Sequence, residues 1–531
     1  MPNTVAYVVL FSWPLVCVIF FRKLPLPAAI AATLVGGYLF IPVLPSIDLP
    51  LLPAINKNSV SALTAIVLAG FALNSAYQKR KVAERRGMDA EEADVILPGW
   101  LPRGPVPLGL LILFFIATMA TMATNRDSIF IARGIVLPGL SLFDGMSMIM
   151  GLLVLLPPFL LGRRFFSRPE HHRQLLMVFA LGGLVYSFLA MVEIRLSPQL
   201  NSWLYGFFPH SFLQHKRAGG WRPIIFLPHG LWVAVFLAMA ASASMALAKS
   251  VRAEDWLKWL SLAIWIFAVL FFCNSLGGLL LAFFMLGILF VLPERMIALI
   301  CGCLVLLFLF YPMLRLFGLM PLDAIVSAAA KINATRADSL GFRLMHEEWL
   351  LDKTSQKIFF GWGGWGRNLI YEPLEGKMIS TVDSLWVIRL SIAGFVGYVA
   401  EFGLYAVAAI ALAFGRLRAQ IPMVTTGVIA VLSINLIDTL VNATSTPLTW
   451  LLAGALTGYL EAERARLKDE KRAALSRPNL ARGPREVSAA AVVPNEANPP
   501  ADEPLTPLNQ RYSRQKVKHV RTSTQRRPIG R

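Results

Sequence analysis

The sequence predicts an all-α polytopic membrane protein with about 12–14 transmembrane helices and one long, largely helical loop. Its 531 residues are 56% hydrophobic and only 15% charged, whereas soluble domains carry about 25% charged residues. Apolar runs of about 20 residues recur along the chain, which is the length that an α-helix needs to cross a bilayer. The four cysteines lie in such runs, so we expect neither a disulfide framework nor a metal site.

About thirteen spans follow from these runs. The first run has no basic region before it and is followed by Arg22 and Lys23, the reverse of the charge order in a cleavable signal peptide. We therefore expect an uncleaved helix whose N-terminus faces outward. The spans are predicted near 5–21, 25–44, 59–77, 107–124, 145–162, 175–195, 223–247, 257–272, 277–292, 296–314, 394–414, 422–441 and 445–461.

Basic residues in the connecting loops predict the orientation of these spans. The basic clusters fall on one side of the count, which the positive-inside rule assigns to the cytoplasm. The longest outward loop, residues 315–393, is then extracytoplasmic. The clusters are Lys79 to Lys81 with Arg85 and Arg86, Arg163 and Arg164 with Arg173, Lys249 with Arg252 and Lys258, Arg295, and Arg416 with Arg418.

Residues 462–531 differ in composition from the membrane domain, residues 1–461. Pro, Ala, Arg and polar residues dominate there, and apolar periodicity ends after a short helical start, Glu461–Lys468. Such a segment buries too little apolar surface to offset the chain entropy of folding, so a disordered cytoplasmic tail is predicted. The tail either binds lipid or a partner, or only sets topology. The net charge of +19 lies in this tail and in short loops beside spans, which indicates contact with anionic membrane lipid and no nucleic-acid partner.

Two outward segments carry candidate site residues near spans. Glu193 and Arg195 end one span, where charge is costly and indicates function unless it merely reaches interfacial water. Arg217 and Arg222 then bracket a Gly-Gly turn before the span predicted at 223–247, and His229 is expected about two turns into that span. Paired guanidiniums match the oxygens of a phosphate or diphosphate, and Trp221 is suited to stacking on a sugar or to the headgroup layer.

The long loop carries the remaining candidates. Arg336 and Arg343 are seven residues apart and share a face if their helix is continuous. A Gly- and Trp-rich turn that contains Trp365 allows close backbone approach, and Asp383 stands just before the next span. Because long structureless loops are uncommon unless they are functional, this loop is the expected location of chemistry. The consecutive residues His346, Glu347 and Glu348 are expected on a solvated helix face.

In these segments the chain resembles the bacterial O-antigen ligase and polymerase family. The resemblance covers roughly residues 175–415. It rests on Arg-Ala-Gly-Gly-Trp-Arg-Pro at 217–223 with His229, on the arginine-containing loop helix, on Phe-Gly-Trp-Gly at 360–363, and on an Asp before Leu-x-x-x-Gly-Phe-Val-Gly at 390–397. The resemblance implies a metal-independent, cofactor-free, inverting glycosyltransferase of C-type architecture in the bacterial inner membrane, with its active site facing the periplasm.

The family's substrates are polyprenyl-diphosphate-linked saccharides and a glycan acceptor, and other polysaccharide-assembly proteins are possible partners. The family's ligases carry a loop His just ahead of the following span. Asp383 occupies the comparable place here. That departure leaves an O-antigen or exopolysaccharide polymerase at least as well supported as a ligase.

Glycosyl transfer from a diphosphate needs cations at the leaving group and a base for the acceptor hydroxyl. We expect Arg217, Arg222 and Arg343 to supply the cations in one shared pocket and Asp383 to act as the general base, with His229 positioning a substrate group. Asp383, Arg343 and His229 are thus the predicted catalytic residues. The predicted substrate-binding residues are Arg217, Arg222, Arg195, Arg336, Glu193, Trp221 and Trp365.

Two other functions compete with this prediction. A transporter or flippase of lipid-linked glycan needs charged residues at mid-membrane depth, where the spans offer mainly Glu401 and Asp438. A non-catalytic scaffold of a polysaccharide-export complex is the third interpretation, and the basic tail suits it.

Overall fold

The computed structural model describes residues 1–49, 51–85, 97–132, 134–217, 220–251, 253–332, 334–381, 383–443 and 446–476. The chain divides into two units, Met1–Arg472 and Ala473–Arg531. Of the second unit only residues up to 476 are described, as the last turn of a helix, so the predicted tail beyond that point lies outside the described residues. The first unit is a bundle of α-helices with three short β-hairpins.

The helices are α1 (Thr4–Lys23), α2 (Leu26–Phe40), α3 (Lys57–Arg85), α4 (Pro105–Ala123), α5 (Leu142–Leu155), α6 (Pro157–Phe165), α7 (Pro169–Leu196), α8 (Leu200–Tyr205), α9 (Gly230–Ser250), α10 (Ala253–Phe272), α11 (Leu276–Val291), α12 (Glu294–Leu316), α13 (Leu322–Ile332), α14 (Ala334–Ser355), α15 (Leu385–Phe414), α16 (Met423–Asp438) and α17 (Pro447–Ser476). The antiparallel hairpins pair β1 (Ile47–Leu49) with β2 (Leu52–Ile55), β3 (Ile129–Ala132) with β4 (Ile135–Leu137), and β5 (Lys216–Arg217) with β6 (Gly220–Trp221).

Long apolar helices confirm the predicted fold class. In the described part of the chain, nine helical segments are long and apolar enough to cross a membrane, and α2, α11 and α16 are shorter apolar helices. Each predicted span coincides with a helix, but several limits were wrong. The span at 145–162 is two helices, since Pro157 and Pro158 interrupt it. The last helix continues well past residue 461, to Ser476.

Contacts between the connections define two ends of the bundle. At one end, called the loop end, lie the connections 41–56, 124–141, 197–229, 273–275, 317–384 and 439–446. The backbone N–H of Asn3 donates to the backbone carbonyl of Tyr205 at this end, at 2.9 Å. At the opposite end the Arg163 guanidinium pairs with Glu461 at 2.7 Å. Every predicted site residue lies at the loop end.

Helix α9 is the innermost helix and packs against α7, α10, α11 and α16. Nearly all of its residues are buried, and most are Ala, Ser or Met. Small side chains let the neighbouring helices approach closely, as is common in membrane bundles. A Cβ added to Gly183 of α7, for example, would lie 2.3 Å from that of Ala240.

Helix α15 is broken at Gly394, where φ is +66°. Residues 358–363, called the wedge, enter the break and supply backbone partners to both halves. The N–H groups of Trp362 and Gly363 donate to the carbonyls of Ser391 and Ile392 at 2.8 and 2.9 Å. Those of Phe395 and Val396 donate to Ile358 and Phe359 at 2.7 and 3.1 Å. The Gly- and Trp-rich turn therefore supplies hydrogen-bond partners to both halves of the broken helix. The span predicted from 394 begins earlier, at Leu385.

The end of α4 holds the wedge in place. The Thr121 hydroxyl donates to the Phe360 carbonyl at 2.7 Å, and the Asn125 side-chain amide donates to the Gly361 carbonyl at 2.9 Å. The Lys357 ammonium group in turn donates to the Asn125 side-chain oxygen at 2.8 Å. The first two bonds satisfy backbone carbonyls of the wedge, which lies outside any helix or strand.

Candidate functional site

Two clusters of ionisable side chains at the loop end contain predicted site residues. The histidine–arginine cluster lies before α9 and consists of His210, His215, Arg217, Arg222 and His229. The carboxylate cluster lies between α12, α14 and the start of α15 and consists of Arg315, Arg343, Glu347, Asp383 and Ser384. The cations expected in one pocket are thus divided, with Arg217 and Arg222 in the first cluster and Arg343 in the second.

A hairpin and two prolines position the histidine–arginine cluster. Strands β5 and β6 pair Arg217 with Gly220. His229 is the N-cap of α9, and its Nδ1 accepts the N–H of Leu231 at 3.0 Å. The prediction that His229 lies two turns into a span was wrong. Pro223 and Pro228 keep this segment out of the helix, because proline lacks an N–H and disfavours helical geometry in the residue before it.

Arg222 is a fixed, buried cation. Its side chain is 9% exposed, and Nη2 donates to the Asn274 carbonyl at 2.9 Å. Its stem packs so closely on Gly230 that a Cβ there would lie 2.5 Å from Cγ. Arg217, by contrast, is exposed. Trp221 is half-buried and packs against Phe212 with ring centroids 5.1 Å apart.

The three histidine rings of this cluster contact one another. The His229 ring lies 4.7 Å from that of His210 and 5.0 Å from that of His215, centroid to centroid. Burial, followed by the neighbouring imidazoles and Arg222, lowers the pKa of His229 to about 3. Burial also lowers the pKa of His215 to about 4. Both are therefore neutral at pH 7. Among the described residues, no group of three His, Cys, Asp or Glu is placed to hold a metal ion.

We expect the protein to lose thermal stability as the pH falls from 7 to 5. Between the pKa of an unburied histidine, about 6.5, and the lowered values of His215 and His229, the unfolded state binds more protons, so acid favours unfolding. The melting temperature of the detergent-solubilised protein should fall across this range. The variant His229→Asn keeps a good N-cap and should show a smaller fall. An equal fall in both proteins would contradict the assignment.

The exposed part of the carboxylate cluster is an ion pair. Arg343 Nη2 lies 3.3 Å from Asp383, and the two side chains are 34% and 50% exposed. Arg343 also donates to the Val441 carbonyl after α16, at 3.2 Å. Asp383 is therefore open to solvent, but it already faces a cation. Arg336 lies in the first turn of the same continuous helix, α14, and its side chain lies outside the described residues.

Glu347 belongs to the buried part of this cluster, and the sequence analysis misplaced it. Glu347 is 3% and His346 is 4% exposed, so only Glu348 lies on the expected solvated face. Ser384 donates to Glu347 Oε1, and Arg315 Nη2 lies 3.6 Å from Oε2. Burial raises the pKa of Glu347, against the lowering effects of Ser384 and Arg315. Its spacing of three and four residues from the apolar Leu350 and Leu351 was the available signal.

Glu193 is a buried carboxylate that joins two segments of the chain. It is fully buried, and its carboxylate accepts the N–H groups of Leu200, Ile224 and Ile225 at 2.9, 2.7 and 2.8 Å. These bonds tie the end of α7 to the segment before His229. Both carboxylate oxygens of Glu193, a predicted substrate-binding residue, thus accept backbone N–H groups of this segment.

Arg195 and Trp365 lie apart from the contacts that build either cluster. Both are exposed, and Trp365 sits just after the wedge with a positive φ of 55°. The sequence analysis missed Lys57, the first residue of α3, which is 6% exposed. Its Nζ lies 3.5 Å from the Phe226 carbonyl and 5.5 Å from the centre of the Tyr38 ring.

A comparison with models of known protein families finds no match to this sequence, and a comparison with curated proteins finds no significant match either.

Proposed function

We propose that the chain is a membrane glycosyltransferase that transfers or polymerises polyprenyl-diphosphate-linked saccharides. The observation that carries this proposal is the fixed Arg222 guanidinium, held by Asn274 at the mouth of α9, at the same end of the bundle as two carboxylates. The reaction needs a cation to stabilise the negative charge on the leaving group and a base to deprotonate the acceptor hydroxyl. The histidine–arginine cluster suits the first need, and the carboxylate cluster suits the second.

The histidine–arginine cluster is suited to a diphosphate. Arg222 is preorganised, so it loses no freedom when it meets the charge that develops on the leaving oxygen. Arg217 is exposed and adds attraction during approach. The neutral imidazoles of His215 and His229 are available as hydrogen-bonding groups without adding a second fixed charge. The carboxylate cluster is suited to the acceptor, since it holds both a base and the orienting cation Arg343.

The proposed location is the bacterial inner membrane, with the loop end facing the periplasm. The basic clusters Arg163 with Arg164 and Arg416 with Arg418 lie at the opposite end, where the positive-inside rule expects the cytoplasm. The polyprenyl carrier would then reach the histidine–arginine cluster from the outer leaflet.

Transport of a lipid-linked glycan is a second candidate, favoured by the interior of α15. Arg389 pairs with Glu401 at 3.4 Å across the break at Gly394, and Tyr405 donates to Glu401 at 2.8 Å. Broken helices with buried charge are common at the binding sites of transporters.

Purified protein in detergent separates the two functions. With a polyprenyl-diphosphate saccharide and an acceptor glycan, we expect a longer saccharide and released polyprenyl diphosphate, without vesicles. Arg343→Ala should reduce this product strongly, whereas Arg466→Ala, an exposed residue of α17, should not. Absence of product from intact protein, together with movement of the lipid-linked saccharide across vesicles, would replace the proposal with transport.

A further inference from the structure

Beneath the Arg343–Asp383 pair lies a group of buried polar atoms that no described residue satisfies. Glu347 Oε2 and the Nε and Nη1 atoms of Arg315 have no hydrogen-bond partner in the described part of the chain. Arg315 and Glu347 are 3% and 5% exposed in their side chains, and Trp386 is fully buried. Buried polar groups are nearly always paired, so three such atoms together indicate a place for a polar guest.

These atoms are close to one another and to the surface pair. Arg315 faces Glu347 at 3.6 Å, and a hydrogen bond from the Trp386 side chain helps to lower the pKa of Glu347 against the effect of burial. Arg343 and Glu347 are one helical turn apart on α14, so they share a face. Ser384, which donates to Glu347, directly follows Asp383. The exposed ion pair therefore lies beside the buried one.

We infer that the acceptor hydroxyl reaches this group of buried polar atoms, and that Glu347, not Asp383, takes its proton while Arg315 holds its oxygen. The inference rests on the proposed transferase function and names the base within it. Asp383 is half-exposed and already paired with Arg343, whereas Glu347 keeps an oxygen without a hydrogen bond. Because a partly exposed ion pair is weak, the Arg343–Asp383 pair can open to admit the hydroxyl.

The step balances within the two substrates. The acceptor oxygen forms a bond to the anomeric carbon as the bond from that carbon to the diphosphate oxygen breaks. The electron pair leaves with the diphosphate, and the hydroxyl proton passes to Glu347 Oε2. Water then removes this proton after the product leaves. Burial raises the pKa of Glu347, which brings a carboxylate closer to the pH at which a general base works best.

The test compares Glu347→Gln with Glu348→Gln, its exposed neighbour on α14, in the detergent assay. We expect Glu347→Gln to lower kcat by 10²–10⁴-fold, the range typical of a general base, and Glu348→Gln to leave it unchanged. Asp383→Asn should lower kcat less than Glu347→Gln does. Glu347→Asp should retain activity with a shifted acidic limb of the pH profile, which a purely structural role would not produce.

A double variant covers the case in which Glu347→Gln fails to fold because Arg315 is left as an unpaired buried charge. Glu347→Gln with Arg315→Met removes both charges and should fold without activity. Recovered activity in this double variant, or full activity in Glu347→Gln, would overturn the inference. Wild-type protein without any transfer would instead refute the proposed function, so the two failures are distinguishable.

Discussion

Gly394→Ala should prevent accumulation of folded protein, and Gly361→Ala should have the same effect. Both glycines have φ of +66°, which costs a residue with a side chain roughly 1–3 kcal/mol. A Cβ at Gly394 would lie 2.3 Å from the Phe359 carbonyl, and one at Gly361 would lie 2.5 Å from the Ile392 carbonyl. These carbonyls belong to the backbone segments that four hydrogen bonds join, so they cannot move away without breaking those bonds.

Detergent extraction and size-exclusion chromatography measure this effect. Both variants should give little monodisperse protein and a lower melting temperature in whatever remains. Gly364→Ala is the matched control, because a Cβ there meets nothing within 4 Å, although it lies in the same turn. Wild-type yield and melting temperature in Gly394→Ala would contradict the role of the wedge.

Helix positions were predictable because they depend on local composition. The length and apolar character of α4, α7 and α12, for instance, are visible in the sequence alone. The break in α15 was not predictable, since it depends on pairing between residues about thirty positions apart, 358–363 with 391–396. Arg389 also interrupts the apolar run before Gly394, which moved the predicted start of that span past the true start at Leu385.

The candidate site was predictable in residue types and in its place along the chain, but not in its grouping. The sequence analysis placed Arg217, Arg222 and Arg343 in one pocket. Residue spacing carries no information on the distance between separate segments, so it could not show that these arginines are divided between two clusters. Burial of Glu347 depends on Arg315, which comes from another helix, so a solvated face was the natural expectation. The position of His229 was accessible locally, because Pro223 and Pro228 both argue against a helix before it.

Arg222→Ala should lower kcat/KM for glycosyl transfer by about a hundredfold or more, since one preorganised donor to developing charge is worth about 3 kcal/mol. Arg217→Ala should have a smaller effect that weakens as salt is added, because exposed charges are screened. Arg222→Lys keeps the charge but not the planar fork that reaches both Asn274 and a substrate oxygen, so it should recover activity only in part.

Stability must be measured in the same variants, because Arg222 also packs on Gly230 and binds the Asn274 carbonyl. The loss in Arg222→Ala should appear as reduced turnover of protein that is folded and monodisperse, at a temperature well below its melting point. Lipid-diphosphate binding should weaken less than kcat does, since the charge that Arg222 meets is largest as the bond breaks. Equal losses of kcat/KM in Arg217→Ala and Arg222→Ala at every salt concentration would mean that both arginines only attract the substrate electrostatically. That result would contradict a role for the fixed Arg222 guanidinium in the chemical step.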